Sequence, residues 1–140
     1  MMALYLETSA ALGWLFGEPS TGEIARAIDA ADVVATSALT FVEIERAIHR
    51  AVSRRVVNET DAHKLRGLLA RERSQWITMA LTDQVLARAG RAFPVEPVRT
   101  LDAIHLATAL AFVEALPDLK MLATDRRVAE NATSLGLALE

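Results

Sequence analysis

The amino-acid sequence predicts an α/β fold, a mostly parallel sheet covered by helices on both faces. Three observations carry that expectation. Four short stretches, Ala3 to Leu6, Val33 to Thr36, Trp76 to Leu81 and Leu119 to Thr124, are runs rich in apolar or β-forming residues without a polar–apolar alternation. Strands buried on both faces of a sheet read this way. Helical segments separate the runs, and such alternation is the signature of a parallel sheet. Thr100 to Ala115 is apolar almost all the way round, so it reads as a buried helix and not a surface one.

The elements follow in order. After the first strand, Ala10 to Phe16 reads as a helix broken by Gly17 to Pro19. Ser20-Thr21-Gly22-Glu23 has the pattern of a capping box and opens a helix to about Ala31. The second strand precedes a helix from about Leu39 to Ser53, and another starts near Asn58 or Thr60 and reaches about Arg73. The third strand is followed by Thr82-Asp83, which caps a helix to about Ala92. Phe93 to Pro97 is a loop stiffened by two prolines. The buried helix comes next, with Thr100 placed to cap it, then the fourth strand. Asp125 caps a last helix to about Leu135, which Gly136 ends, and Leu137 to Leu139 is a candidate short strand. No repeat, low-complexity tract or linker divides the chain, and 140 residues suit one domain, 1–140, with one core.

Composition narrows the function classes. With 52% hydrophobic and 24% charged residues the chain is a folded globular protein. It has no cysteine, which excludes disulfides, thiolate catalysis and cysteine-bound zinc or iron–sulfur centres. The N-terminus lacks a basic region followed by a long apolar run, and no stretch approaches 20 uncharged apolar residues. A cytoplasmic protein without a membrane span is expected. The net charge of −3 does not point to nucleic acid, so any such site must be a local basic patch.

Ligands of a parallel sheet bind beyond the carboxyl ends of its strands. Four acids fall there. Glu7 ends the first strand, Asp125 ends the fourth, Glu43 lies early in the helix after the second, and Asp102 lies in the first turn of the buried helix. Each has an ordinary explanation: Glu43 as part of a Thr40–Glu43 capping box, Asp125 as a helix cap, Asp102 as an acid favoured by the helix dipole, Glu7 as a solvated strand end. Their convergence is not explained that way. Acids gathered within about 4–6 Å repel, and one is driven to protonate unless a cation intervenes. Carboxylates without cysteine suit Mg²⁺ or Mn²⁺ and not zinc.

Arginines accompany the acids. Arg46 and Arg50 share a helix face with Glu43, Arg99 precedes Asp102, and Arg126 follows Asp125. Guanidinium groups beside an acidic pocket suit a polyanion whose phosphate reaches a metal. Glu43–Arg46 and Arg99–Asp102 also read as ordinary surface pairs. Ser9 and Thr124 lie beside the acids, as ligand-orienting groups or as helix caps. His105, three residues after Asp102, has a spacing that could serve a metal but reads rather as a packed core histidine, and Trp14, Phe16 and Trp76 read as core or dimer contacts rather than base-stacking platforms.

Four segments, Leu4-Tyr5-Leu6-Glu7-Thr8-Ser9-Ala10, Ser37-Ala38-Leu39-Thr40-Phe41-Val42-Glu43, Arg99-Thr100-Leu101-Asp102-Ala103-Ile104-His105-Leu106-Ala107 and Ala123-Thr124-Asp125, resemble the PIN-domain nucleases. Among these the chain is most similar to the VapC-type toxins of bacterial toxin–antitoxin pairs, over nearly its whole length and in order. The resemblance implies a three-layer α/β/α sandwich around a mostly parallel sheet of four to five strands. It implies a Mg²⁺- or Mn²⁺-dependent endoribonuclease acting on RNA, a homodimer, and a cognate antitoxin whose tail covers the acidic pocket. Glu43, Asp102 and Asp125 match the family acids as catalytic and metal-holding residues, and Ser9 matches a small polar neighbour. Glu7 departs from the pattern, which has aspartate there. The rival expectation is a PIN-like module with weakened chemistry that binds a protein partner. Glu7 favours the rival; the other three acids favour the enzyme.

Overall fold

The computed structural model describes residues 1–19 and 21–139. The elements are β1 (Ala3–Leu6), α1 (Thr8–Phe16), α2 (Thr21–Ala30), β2 (Val33–Ser37), α3 (Ala38–Ser53), α4 (Glu59–Arg73), β3 (Ile77–Met79), α5 (Asp83–Ala89), α6 (Thr100–Val113), β4 (Lys120–Leu122) and α7 (Arg126–Ser134). Among the described residues the sheet has four strands in the order β3-β2-β1-β4, and every pairing is parallel. The candidate last strand is reduced to a single parallel bridge, Ala138 to Met121.

Alternation along β1 builds the layers. Leu4 and Leu6 face one way and, with Val34, meet Ala11 and Leu15 of α1, Ile24 of α2, Ile44 and Ile48 of α3 and Leu69 of α4. Ala3 and Tyr5 face the other way and, with Ala35, meet Leu106 and Phe112 of α6 and Val128 of α7. Leu4, Leu6, Ile44, Ile48 and Leu106 are wholly buried. Each such side chain contributes about 1.5–3 kcal/mol, which fixes the strands against the helices beside them. The fold is therefore the expected α/β sandwich. The buried helix is real, though Leu101 in its first turn is 46% exposed.

Several ends differ from the sequence reading. Ser37, not a residue near Thr40, caps α3, accepting from the Leu39 N–H, so Thr40 to Glu43 is no capping box. Thr100 does not cap α6; Arg99 occupies the cap position without a side-chain hydrogen bond. β3 spans only Ile77–Met79, and α5 ends at Ala89 because Gly90 follows. Other signals hold: Thr82 caps α5 and Asp125 caps α7. The start of α4, open between Asn58 and Thr60 in the sequence, is settled at Asn58 by a reciprocal capping box with Asp61. Gly136 has φ +77°, a left-handed conformation that favours glycine after a helix. The capping box read at Ser20 lies outside the described residues. Among the described residues no helix is long and apolar enough to cross a membrane.

Candidate active site

The strand order makes the site. The chain moves from β1 outward through β2 to β3, then returns to place β4 on the other side of β1. The loops after β1 and β4 therefore diverge to opposite faces and leave a crevice between their carboxyl ends, the position at which open parallel sheets bind ligands. Glu7 follows β1 and Asp125 follows shortly after β4. The Glu7 N–H extends the ladder to the Leu122 carbonyl at 3.1 Å, so the two strand ends are held together.

Ser9 joins the loops. Its Oγ accepts from the Thr124 and Asp125 N–H groups at 3.0 and 3.2 Å and donates to Glu7 Oε2. Glu7 is the N-cap of α1, its Oε2 also accepting from the Ser9 N–H at 2.8 Å. Only 3% of Glu7 is exposed, so it is not a solvated strand end. Burial pushes its carboxyl up from the ordinary value; the Ser9 hydrogen bonds oppose this, and the Glu43 charge adds to it. Thr124 contributes its backbone, and its residue is exposed.

Glu43 lies one and a half turns into α3, freed from capping duty because Ser37 does that work. Its Oε1 accepts from Thr8 Oγ1 at 2.7 Å and lies 2.6 Å from His105 Nε2. Burial raises the Glu43 carboxyl, but the hydrogen bonds from His105 and Thr8 outweigh burial and hold it below the ordinary range. Asp102 is 8% exposed in the first turn of α6. Its charge is met by Arg99, whose Nε is 2.9 Å from Asp102 Oδ2 and whose terminal nitrogen is 3.2 Å from Asp125 Oδ2. Those two acids hold the Arg99 guanidinium above its ordinary pKa, the Asp102 hydrogen bond most of all.

Glu7, Glu43, Asp102 and Asp125 thus share one edge, tied by Ser9, His105, Thr8 and Arg99. The donor chemistry, carboxylate oxygens without a thiol, fits a hard divalent cation. In the conformation described, the acids are occupied by these internal partners, and no three acidic or histidine side chains gather around one point among the described residues. Arg99 is the cation between Asp102 and Asp125.

A family model described as "PIN domain" matches residues 4–132. The chain belongs to the PIN domain family. Its relatives include ribonuclease VapC35 of Mycobacterium tuberculosis, 33% identical over 97% of this chain and 94% of that protein. Ribonuclease VapC46 of the same organism is 32% identical over 99% of this chain and 97% of that protein. The crystal structure of M. tuberculosis VapC20, described as a Sarcin-Ricin loop cleaving toxin, superposes with a TM-score of 0.65 at 16% identity, covering 96% of each chain. At that identity the superposition shows the shared fold.

The arginines of this PIN domain divide. Arg99 sits within the acidic edge, whereas Arg126 pairs with Glu130 at 2.9 Å on its own helix. Arg46 and Arg50 are exposed and line a shallow depression on α3 with His49, Ser53 and Arg54; no ion pair joins Arg46 to Glu43 among the described residues. His105 is wholly buried, as a core histidine would be, yet it touches Glu43. Tyr5 and Thr8, its other partners, carried no signal in the sequence beyond adjacency to Glu7. Trp14 and Trp76 meet edge to face at 6.0 Å within the core on the α1–α4 side of the sheet.

Proposed function

We propose that this PIN domain is an endoribonuclease dependent on Mg²⁺ or Mn²⁺, hydrolysing RNA phosphodiesters as the toxin of a toxin–antitoxin pair. The observation that supports the reading is the placement of Glu7, Glu43, Asp102 and Asp125 along one sheet edge, with Arg99 bridging Asp102 and Asp125, within a chain of this family. The names of the VapC35 and VapC46 relatives support ribonuclease chemistry. Asp102, Asp125 and Glu43 are the residues that would hold the ion, with Glu7 beside them. When bound, such an ion lowers the pKa of a water and stabilises charge on the phosphoryl and leaving oxygens.

The chain's own residues do the rest. Ser9 holds the two strand-end loops at fixed separation. His105 and Thr8 orient Glu43. Arg99 neutralises Asp102 and Asp125, and its exposed guanidinium is of the type that would meet a phosphate beside them. Arg46 and Arg50 on α3, and Arg126 on α7, offer further phosphate contacts. A cytoplasmic homodimer, silenced by a cognate antitoxin that covers the acidic edge, belongs to the same proposal. The second reading, a module that binds protein with weakened chemistry, is favoured by Glu7, whose carboxylate is folded onto Ser9.

The deciding experiment incubates the purified chain, freed of any antitoxin, with mixed RNA and Mn²⁺. Cleavage that disappears in Glu43→Gln supports the nuclease. Cleavage that survives the substitution belongs to a contaminant, and an inert original chain leaves the binding module.

A further inference from the structure

The proton count around His105 goes further than burial requires. The ring is wholly inside the protein, with Nδ1 2.9 Å from the Tyr5 hydroxyl and Nε2 2.9 Å from Thr8 Oγ1. Tyr5 and Thr8 alone would satisfy a core histidine. The third contact reaches across to Glu43 Oε1 at 2.6 Å, 62 residues away on another helix. An ionised carboxylate only accepts. His105 Nε2 must therefore carry a hydrogen, and Thr8 donates to the same oxygen at 2.7 Å. In the neutral ring the other nitrogen then accepts, and the Tyr5 hydroxyl is its donor. Burial raises the Tyr5 phenol well above its ordinary pKa, which keeps that donor protonated.

Both donors land on Oε1. Oε2 of Glu43 has no hydrogen-bond partner among the described residues, and the side chain is 25% exposed. One oxygen holds two donors, and the other is left without one on a carboxylate that solvent partly reaches. A glutamate has three rotatable side-chain bonds, so without these contacts its carboxylate would sample several positions.

We propose that His105 is a positioning residue: with Tyr5 and Thr8 it fixes Glu43 so that Oε2 is the oxygen presented to the reaction. The role rests on the nuclease reading. It acts through Glu43 and not on the substrate. The same geometry places a hydrogen on Nε2, which is observable without any catalysis.

The experiment combines ¹⁵N NMR of the histidine rings with kinetics on RNA in Mn²⁺. The original chain shows His105 as the Nε2–H tautomer, and Tyr5→Phe, which removes the donor to Nδ1, shifts it toward a mixture. His105→Leu lowers kcat by about 100-fold, the cost of misplacing a catalytic group by about 1 Å. KM stays within about twofold, because substrate contacts elsewhere are unchanged. His105→Gln, whose amide N–H reaches about as far as Nε2, recovers most of the rate. A folded His105→Leu protein with unchanged kcat overturns the proposal, as does an Nδ1–H tautomer in the original chain. If His105→Leu does not fold, the hydrogen on Nε2 and the Tyr5→Phe protein decide: Tyr5→Phe should lower kcat, and a folded Tyr5→Phe protein with unchanged kcat overturns the proposal. An original chain that shows the Nε2–H tautomer but cleaves no RNA overturns the nuclease reading, and the positioning role falls with it.

Discussion

Arg99 and Asp125, 26 residues apart, meet at 3.2 Å, and the same guanidinium is 2.9 Å from Asp102. One side chain thus does for two acids what a divalent ion would do. The Arg99 side chain is 62% exposed, so it has solvent to swing into, whereas the Asp102 side chain is 12% exposed and fixed on α6. An ion held by Asp102 and Asp125 would have to compete with Arg99 for the same oxygens.

The competition is measurable by melting temperature. A ligand bound only by the native state adds about 2.7 kcal/mol of stability at 100 times its dissociation constant. Mn²⁺ should therefore raise the melting temperature of the original chain. Arg99→Gln removes the competitor, so the Mn²⁺-induced rise should come at lower metal concentration. Asp102→Asn should lose the rise. Identical melting curves in saturating Mn²⁺ and in chelator would remove the metal from this site.

The exposed arginines of α3 are separable from the acids. Arg46→Ala with Arg50→Ala should weaken RNA binding and leave the fold intact, since neither side chain is buried. Each phosphate contact to a single strand contributes about 0.7 to the slope of log affinity against log salt. Loss of both should flatten the slope by up to about 1.4 in a titration series. An unchanged slope would place the RNA elsewhere on the surface.

The two glutamates should respond to pH with opposite signs in metal-free protein. Glu43 is held below the ordinary carboxylate value of 4.5. Its ionised form is favoured by folding, so it contributes stability above that value, which is lost as pH falls through its lower native pKa. Glu7 is held above 4.5. Folding favours its neutral form, so its ionisation costs stability as pH rises through the raised pKa. In chelator at pH 7, Glu43→Gln should lower the melting temperature and Glu7→Gln should raise it. Both differences should shrink in acid, toward pH 3. A melting temperature lowered by Glu7→Gln at pH 7 would show that the Ser9 hydrogen bonds outweigh burial.

The sequence made the fold legible because the strands are short, apolar and separated by capped helices. Thr82 and Asp125 announced their caps by type alone, and those caps formed. Glu43 shows the limit. Thr40-Phe41-Val42-Glu43 has the letters of a capping box, but Ser37 three residues earlier caps first, and nothing local distinguishes the two. The acids were found by where parallel strands end, a topological argument. The cross-links were not. The Ser9 bonds to Thr124 and Asp125 span 115 and 116 residues, and the His105 bond to Glu43 spans 62. Such pairs depend on how elements pack, which periodicity does not encode. Arg99 was visible as a neighbour of Asp102 at helical spacing; its reach to Asp125 was not.

Glu7 stands where the family pattern has aspartate, and the structure shows what the longer side chain does. Its carboxylate curls back to cap α1, accepting from the Ser9 N–H at 2.8 Å and from the Ser9 hydroxyl. Aspartate caps a helix at least as well, so the swap need not disturb α1. It would draw the charge back by one methylene and restrict it to two rotatable bonds. Mg²⁺ requires near-octahedral oxygens at about 2.0–2.1 Å, so a carboxylate one bond too far must turn away, bind through water or pull the ion from its place. A shift near 1 Å can cost about 100-fold in rate. Glu7→Asp should therefore increase metal-dependent RNA cleavage, by up to that factor, with the melting temperature in chelator nearly unchanged. Expressed in growing cells without an antitoxin, the Glu7→Asp chain should slow growth more than the original. Equal cleavage by the original, Glu7→Asp and Glu7→Ala chains would show that Glu7 serves α1 alone and that Glu43, Asp102 and Asp125 carry the chemistry.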